Sequence, residues 1–281
     1  MTYLLPTSVE SALEALADGK STILAGATDY YPSQVGGAVR SDDVVDITAL
    51  NGLRGISRHG EVWRIGALTS WAELVQSDLP AAFGGLQAAA GQVGGVQIQN
   101  VASIGGNLCN ASPAADGVPP LLTLEVDVEL QSARGARVVP VHEFVLGNRV
   151  TARRPDELMT ALVVPNPTVD SIGSFEKLGA RAYLVISIVM VAVLAEIDSE
   201  GVIRSARIAV GACSPVAQRL ADLERDLVGA SVDQPVTEII TPEHLNPLSP
   251  IDDVRSSAEY RLAVTPELIS RALQSCSRTR P

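Results

Sequence analysis

Two short loops carry residue types that can bind a phosphorylated cofactor. The first is Ala25–Asp29 (AGATD), and the second is Ser103–Asn107 (SIGGN), which continues to Asp116. Loops of this composition direct successive backbone N–H groups into one concavity, which can hold a phosphate without a lysine. Hydroxyl and amide side chains would add hydrogen bonds, and Asp116 would accept one from a ribose hydroxyl or a ring N–H. Spacing alone also allows ordinary turns, and neither loop matches GxGxxG or GxxxxGK[ST], so a nicotinamide Rossmann site and a P-loop are unsupported.

The predicted elements place the first loop at the end of a short buried strand, Ser21–Ala25. A capping box at Thr7–Glu10 predicts the helix before that strand. The second loop lies within Leu79–Ala115, which contains no charged residue and three Gly-Gly pairs. Such a stretch indicates backbone packed closely against protein or ligand.

The remaining pattern predicts a second domain of strands followed by helices. Leu121–Leu130 alternates with acidic residues, as a half-exposed strand does. The Pro/Asn cluster at Pro165–Pro167 is the best candidate for a domain boundary. Beyond it, strands are predicted at Ser174–Leu178, Ala182–Ile197 and Val202–Gly211, and helices from Ser214–Pro215 and Thr265–Pro266. This order is typical of a small α+β domain.

Composition excludes several classes of function. The 281 residues carry a net charge of −11, which argues against nucleic-acid binding because recognition of the polyanionic nucleic-acid backbone needs clustered Lys and Arg. The three cysteines include no CxxC pair, so they indicate a reducing compartment, and this chain cannot supply an iron–sulfur cluster alone. The three histidines are scattered, and we expect no metal site. We find no signal peptide or membrane-spanning run and expect a cytoplasmic protein.

The two loops, in this order and at this separation, closely resemble those of the FAD-binding medium subunit of molybdenum hydroxylases. This is the flavoprotein family of xanthine dehydrogenase and carbon monoxide dehydrogenase, whose loops typically read AGG(T/H)(D/S) and (T/S)(I/L)GGN. Four further segments match in the same order: ELMTALVVP from Glu157, FEKL from Phe175, GACSP from Gly211 and SAEYR from Ser257. The resemblance covers essentially the whole chain.

The resemblance implies an α+β chain in which a two-lobed FAD-binding domain, of the vanillyl-alcohol-oxidase/PCMH-like type, precedes a small α+β C-terminal domain. The implied domains are 1–167, with lobes of about 1–55 and about 56–167, and 168–281. FAD would lie between the lobes, with its pyrophosphate held by both loops. Asp116 would contact the ribose or ring end, and Leu162 and Lys177 would lie near the isoalloxazine. Carried over by position, the implied FAD contacts are Ala25, Gly26, Ala27, Thr28, Asp29, Ala102, Ser103, Ile104, Gly105, Gly106, Asn107, Asp116, Leu162 and Lys177.

The implied activity is electron transfer, with no acid–base catalytic residue in this chain. The flavin would take electrons from [2Fe-2S] clusters of a small partner subunit and pass them to an external acceptor. Those electrons would originate at a molybdopterin centre in a large partner subunit, where the substrate is hydroxylated. The three chains would form a heterotrimer, which two-fold symmetry can double.

One departure from the family pattern leaves two alternatives open. Ala27 stands where the family usually has a second glycine, and a positive φ there would cost an alanine on the order of 1 kcal/mol. The chain could therefore be a structural subunit that binds no FAD. A stand-alone flavin oxidase is the other alternative, although Cys109 is the sole candidate attachment point near either loop. Tyr30 and Tyr31 are predicted to seal an interface rather than to contact the flavin.

Overall fold

The computed structural model describes residues 2–35 and 43–278, which form three β-sheets and one short hairpin. The strands are β1 (Tyr3–Leu4), β2 (Thr22–Leu24), β3 (Val44–Asp46), β4 (Ile56–His59), β5 (Val62–Gly66), β6 (Asp127–Ser132), β7 (Gly135–Pro140), β8 (Val145–Gly147), β9 (Val150–Thr151), β10 (Leu158–Pro165), β11 (Ser171–Leu178), β12 (Val189–Ile197), β13 (Ile203–Gly211) and β14 (Gln218–Arg219). The α-helices are α1 (Val9–Leu16), α2 (Tyr30–Gln34), α3 (Trp71–Gln76), α4 (Gly84–Ala90), α5 (Val96–Val101), α6 (Ile104–Asn110), α7 (Val118–Thr123), α8 (Val141–Phe144), α9 (Ala221–Asp226) and α10 (Ala258–Arg278). Four 3₁₀ turns cover Asn51–Leu53, Ala81–Phe83, Val236–Glu238 and Pro242–Leu245.

The first lobe is a three-stranded parallel sheet in the order β1–β3–β2, with α1 packed on it. Helix α1 buries Leu13 and Leu16 in a core shared with Val45. The predicted helix is confirmed, but its N-cap is Ser8 rather than Thr7, because the Ser8 hydroxyl accepts the Ser11 backbone N–H (3.2 Å). Strand β2 is an edge strand of this sheet, and the first loop follows directly after its last residue, Leu24.

The second lobe is a five-stranded antiparallel sheet in the order β4–β5–β10–β6–β7. Its core also contains the buried faces of α3, α4, α6 and α7. The strand predicted at Leu121–Leu130 is wrong in its first half, where α7 forms instead. Pro119 and Pro120 suit the first turn of a helix, and every α7 residue is buried, so the apolar run is a helix packed inside the core.

The C-terminal domain is a four-stranded antiparallel sheet in the order β11–β12–β13–β14, covered by α10. The Ser174 hydroxyl on β11 donates to the Ala272 carbonyl oxygen of α10 (2.7 Å). The last helix begins at Ala258, not near Thr265, and continues through Pro266. None of the described helices is both long and apolar enough to cross a membrane.

Two other predictions for this domain are also wrong. The segment Ala182–Ile188 is a loop, and β12 begins only at Val189. Two side chains hold the loop: Arg181 Nε donates to the Leu184 carbonyl oxygen (3.1 Å), and Ser187 donates to Asp116 (2.6 Å). No helix starts at Ser214–Pro215, since the described chain forms turns and β14 before α9.

Glycines bring the second lobe and the C-terminal sheet into backbone contact. A Cβ on Gly85 of α4 would lie 2.7 Å from the Ser174 carbonyl oxygen, and one on Gly84 would lie 2.7 Å from the Gly173 carbonyl oxygen. A Cβ on Gly173 would overlap the Ala82 carbonyl oxygen. Helix α4 and strand β11 can pack this closely because all three positions lack a side chain.

Candidate cofactor-binding cleft

A cleft of about 630 Å³ opens where the first and second lobes meet, and both predicted loops line it. Ala25–Asp29 enters from the end of β2. Ala102, Ser103, Gly105, Gly106 and Asn107 enter from the start of α6. The loops therefore converge although more than 70 residues separate them in the sequence.

The first loop offers unpaired backbone donors. The amides of Gly26, Ala27, Thr28 and Asp29 find no acceptor within the part of the chain that the structure describes, and neither does the Thr28 hydroxyl. Ala27 adopts φ +57°, in the left-handed region that favours glycine. Gly26 lies against the other wall, because a Cβ there would overlap the Val101 carbonyl oxygen. Consecutive free N–H groups of this kind bind anions.

The second loop differs from the prediction, because it is the capped start of a helix. Four of its five amides are already paired; for example, Gly105 N–H donates to the Ala67 carbonyl oxygen (2.9 Å), and Gly106 N–H donates to Ser103 Oγ (3.1 Å). The groups without a described partner are the Ser103 backbone N–H, the Ser103 hydroxyl proton and the Asn107 carboxamide. This loop therefore offers mainly side-chain donors, while most backbone donors come from the first loop.

Gly106 of the second loop faces Ala25 of the first loop. A Cβ on Gly106 would lie 4.0 Å from the Ala25 Cβ and 3.0 Å from Ser103 Oγ, so it would point into the gap between them. A Cβ on Gly105 would instead meet Ala67, 2.7 Å from its carbonyl oxygen. Gly106 keeps space open for a ligand, whereas Gly105 allows α6 to pack on the end of β5.

Two arginines in the cleft wall were missed by the sequence analysis. Arg149 lies in the β8–β9 turn with φ +59°, and its Nη1 donates to Asp29 Oδ2 and to Asn110 Oδ1, both at 2.8 Å. Asp29 therefore links the first loop to the second lobe. The guanidinium of Arg153 donates to carbonyl oxygens, including that of Glu157 (2.7 Å), and forms no ion pair within the described residues. No local motif announces either arginine, because strand pairing brings them to the cleft.

Asp116 and Lys177 form a buried ion pair behind the cleft wall. Lys177 Nζ donates to Asp116 Oδ2 at 2.7 Å, and the two side chains are 5% and 10% exposed. Ser187 donates to the other carboxylate oxygen at 2.6 Å. Burial raises the pKa of Asp116, against the Lys177 ammonium and the Ser187 hydroxyl, which lower it. Neither residue lines the cleft, but Lys177 Nζ also lies 3.4 Å from the Gln92 carbonyl oxygen, beside the cleft residue Val93.

Two of the predicted contact residues have their side chains in the core. Leu162 is fully buried in the centre of the second lobe, where β10 pairs with both β5 and β6. The Ile104 side chain is 1% exposed and belongs to the same core. Neither residue lines the cleft, because both positions face the apolar interior.

Tyr30, Tyr31 and Cys109 lie near the mouth or wall of the cleft. Tyr30 lines it and contacts Tyr31 edge-to-face with 5.4 Å between ring centroids, while Tyr31 is 60% exposed. Burial raises the pKa of the Cys109 thiol to about 11. The thiol is therefore protonated at neutral pH and is a poor nucleophile.

Comparison with known proteins assigns the family. Residues 1–167 match the FAD-binding domain of molybdopterin dehydrogenase, and residues 174–276 match the C-terminal domain of the CO dehydrogenase flavoprotein. The chain is 32% identical over 284 residues to the xanthine dehydrogenase FAD-binding subunit of Escherichia coli O157:H7, covering 96% of this chain and 95% of that one. This chain belongs to the FAD-binding medium-subunit family of the molybdenum hydroxylases.

Other relatives agree with this assignment. The nicotine 6-hydroxylase medium subunit of Paenarthrobacter nicotinovorans is 31% identical over 274 residues, covering 96% of this chain and 95% of that one. The structure of reconstituted CO dehydrogenase from Oligotropha carboxidovorans superimposes with a TM-score of 0.91 at 25% identity, covering 100% of this chain and 98% of the other. The predicted fold class, an FAD-binding domain followed by a C-terminal flavoprotein domain, is confirmed.

The residues in the cleft fit the pyrophosphate of FAD. The free groups are hydrogen-bond donors, and the side chain of Asp29, the acidic residue in the cleft lining, is already paired with Arg149. A pyrophosphate presents only acceptor oxygens and negative charge, so it complements this set. The gap left by Gly106 provides the space between the loops that such a group needs.

Proposed function

We propose that this cleft binds FAD without a covalent bond and that the chain transfers electrons through the bound flavin. The observation that carries this proposal is the convergence of unpaired donors: four amides and a hydroxyl from the first loop, and a hydroxyl and a carboxamide from the second. Arg149 and Arg153 add positive charge to the same wall. Most of these residues are only partly buried and line one cleft, so a bound ligand can reach their donors.

Bound FAD supplies the redox chemistry, and the residues of this chain hold and orient it. Thr28, Ser103 and Asn107 would donate to pyrophosphate oxygens. Arg149 would keep the first loop against α6 through its bonds to Asp29 and Asn110. The protonated Cys109 thiol supports non-covalent binding. Asp116 and Lys177 would contact the ring end of the cofactor beside Val93, since Lys177 Nζ lies 3.4 Å from the carbonyl oxygen of the preceding residue, Gln92.

We further propose the partners, the location and the domain limits. The relatives are named as subunits or medium chains, which supports a complex with a large molybdopterin subunit and a small [2Fe-2S] subunit. We propose a heterotrimer that two-fold symmetry doubles. Three free cysteines support a cytoplasmic location. Three apolar cores, each formed mainly by one part of the chain, support boundaries at 1–167 and 168–281, with lobes of about 1–55 and 56–167.

One observation favours a second candidate, a structural subunit that binds no FAD. The positive φ of Ala27 means that the family's glycine position holds a strained residue in this chain. Strain of this kind costs on the order of 1–2 kcal/mol, which is a small part of the binding energy of a dinucleotide. We therefore prefer the FAD-binding function.

The test is to purify the full chain, record its visible spectrum and quantify the flavin released by denaturation. We expect one FAD per chain, released without proteolysis. Gly106→Val should lose the flavin, because the side chain would fill the gap between the loops. Gly52→Val is the matched control, since a Cβ there meets nothing within 4 Å. A wild-type chain that takes up no FAD after reconstitution would reject the proposal in favour of the structural subunit.

A further inference from the structure

Trp71 carries a buried hydrogen-bond donor that has no acceptor. The side chain belongs to the cleft wall and is 0% exposed, and its indole Nε1–H contacts no acceptor among the described residues. An unpaired buried N–H is costly and infrequent, so it calls for an explanation such as a ligand or a bound water. The other such atom in the described chain, Arg261 Nε, belongs to a guanidinium whose other nitrogens bind three oxygens.

The start of α3 and a backbone contact with the second loop together fix the position of Trp71. It is the first residue of α3, which a capping box between Ser70 and Glu73 begins. Its backbone N–H donates to the Ala102 carbonyl oxygen (3.3 Å), and Ser70 forms a β-bridge with Ser103. Trp71 is therefore attached directly to the second cofactor loop.

The indole ring points its outer edge toward Asn107. A Cβ on Gly117 would lie 2.6 Å from Trp71 Cη2, 3.4 Å from Cζ2 and 3.1 Å from Asn107 Oδ1. Cζ2 is joined to Nε1 through Cε2, so the six-membered ring that carries the free indole N–H adjoins the free Asn107 carboxamide at the cleft wall. Unpaired polar groups on two adjoining side chains of the cleft wall indicate a ligand that supplies their hydrogen-bond partners.

We propose that the Trp71 indole N–H donates a hydrogen bond to a pyrophosphate oxygen of the bound cofactor and positions it beside Asn107. This inference rests on the proposed function. Pyrophosphate is the favoured acceptor because Trp71 adjoins Ser103 and Asn107, the side-chain donors of the second loop. A neutral indole N–H would orient the phosphate through a directional hydrogen bond without adding charge. Trp71 is thus a positioning residue for the cofactor.

The chain contains only two tryptophans, which makes a direct test possible. With 15N-labelled tryptophan, the apoprotein gives two indole N–H signals, assigned with Trp63→Phe and Trp71→Phe. We expect addition of ADP, which carries the pyrophosphate without the flavin, to shift the Trp71 signal downfield. Trp63 is the internal control, because its Nε1 already donates to Asn166 Oδ1 (3.3 Å) outside the cleft.

Affinity measurements supply the second readout. Trp71→Phe should weaken both FAD and ADP roughly 10- to 100-fold, the loss expected for one hydrogen bond to a charged oxygen. Trp63→Phe should leave both affinities unchanged. An unmoved Trp71 signal in wild-type protein that binds ADP would overturn the inference and indicate a buried water as the acceptor. A loss of affinity for FAD but not for ADP would also overturn it. Wild-type protein that binds neither ligand would reject the proposed function itself.

Discussion

Ala27 holds a backbone conformation that suits glycine, at the centre of the first loop. Its φ of +57° places the methyl group close to its own carbonyl oxygen, and the neighbouring amides stay directed away from other described acceptors. Ala27 therefore adopts a backbone conformation that a glycine would adopt without strain. Backbone geometry, rather than residue identity, preserves the donors that a phosphate would meet.

Ala27→Gly should stabilise the chain by about 1 kcal/mol, because relief of the left-handed strain exceeds the extra entropy that glycine gives to the unfolded state. FAD affinity should rise by a few-fold as well, since the loop would no longer resist small adjustments around the phosphate. Urea unfolding of the apoprotein and flavin titration measure the two effects. Ala212→Gly is the matched control, because Ala212 has φ +61° and does not line the cleft. Equal gains in affinity for both variants would contradict a local effect of Ala27.

At the scale of elements, one ion pair links β7 to the residue that precedes β10, on the side of the second lobe nearest the cleft. Arg137 on β7 binds both carboxylate oxygens of Glu157, at 2.6 and 2.9 Å, and also the Ala152 carbonyl oxygen. Glu157 directly precedes β10 and accepts the Arg154 backbone N–H at 2.7 Å. These bonds hold the segment that carries Arg153 and β9 against the sheet.

This pair should make the lobe sensitive to acid. The hydrogen bond from Arg137 lowers the pKa of the Glu157 carboxyl below its usual range. Its stabilising effect is therefore complete above the unfolded pKa of about 4.3 and is lost as the pH falls through the lower, folded value. Glu157→Gln should be less stable at pH 7, and its unfolding free energy should fall less between pH 5 and pH 3. Urea titrations across this range measure the slope, and the exposed Asp222→Asn should retain the slope of the wild type.

The local part of the site could be predicted from sequence, and the long-range part could not. The loops were found because Gly, Ser, Thr and Asn mark them in a few consecutive residues. Arg149 and Trp71 escaped detection, because strand pairing and a β-bridge bring them to the cleft from other segments. The error at α7 has a similar cause. A short apolar run suits a buried helix as well as a strand, and only the surrounding core decides between them.

At the scale of the whole molecule, the glycine contacts between α4 and β11 join the FAD-binding lobe to the C-terminal sheet. The same strand carries Lys177, whose partner Asp116 belongs to the FAD-binding domain. Two kinds of interaction, a backbone contact and a buried ion pair, therefore connect the two domains. We expect the domains to unfold together.

Gly173→Ala should allow the FAD-binding domain and the C-terminal domain to unfold separately. Its methyl group would overlap the Ala82 carbonyl oxygen, and overpacking of this kind costs on the order of 3 kcal/mol. We expect calorimetry to resolve two transitions in place of one, and limited proteolysis to cut near Pro165–Pro167. Gly52→Ala, which meets nothing within 4 Å, should behave like the wild type. A single, unshifted transition in Gly173→Ala would show that the contact does not couple the domains.

The order in which the cleft walls occur along the chain has a consequence for biogenesis. Every described residue that lines the cleft lies at or before Met159, so the lining is complete in the polypeptide before any strand of the C-terminal sheet is synthesised. The first loop emerges from the ribosome before the second, so the cleft cannot form until the second loop has also emerged. The two loops can then hold the pyrophosphate end of the cofactor before Lys177 of β11, the proposed contact of its ring end, is synthesised, and before the partner subunits are recruited.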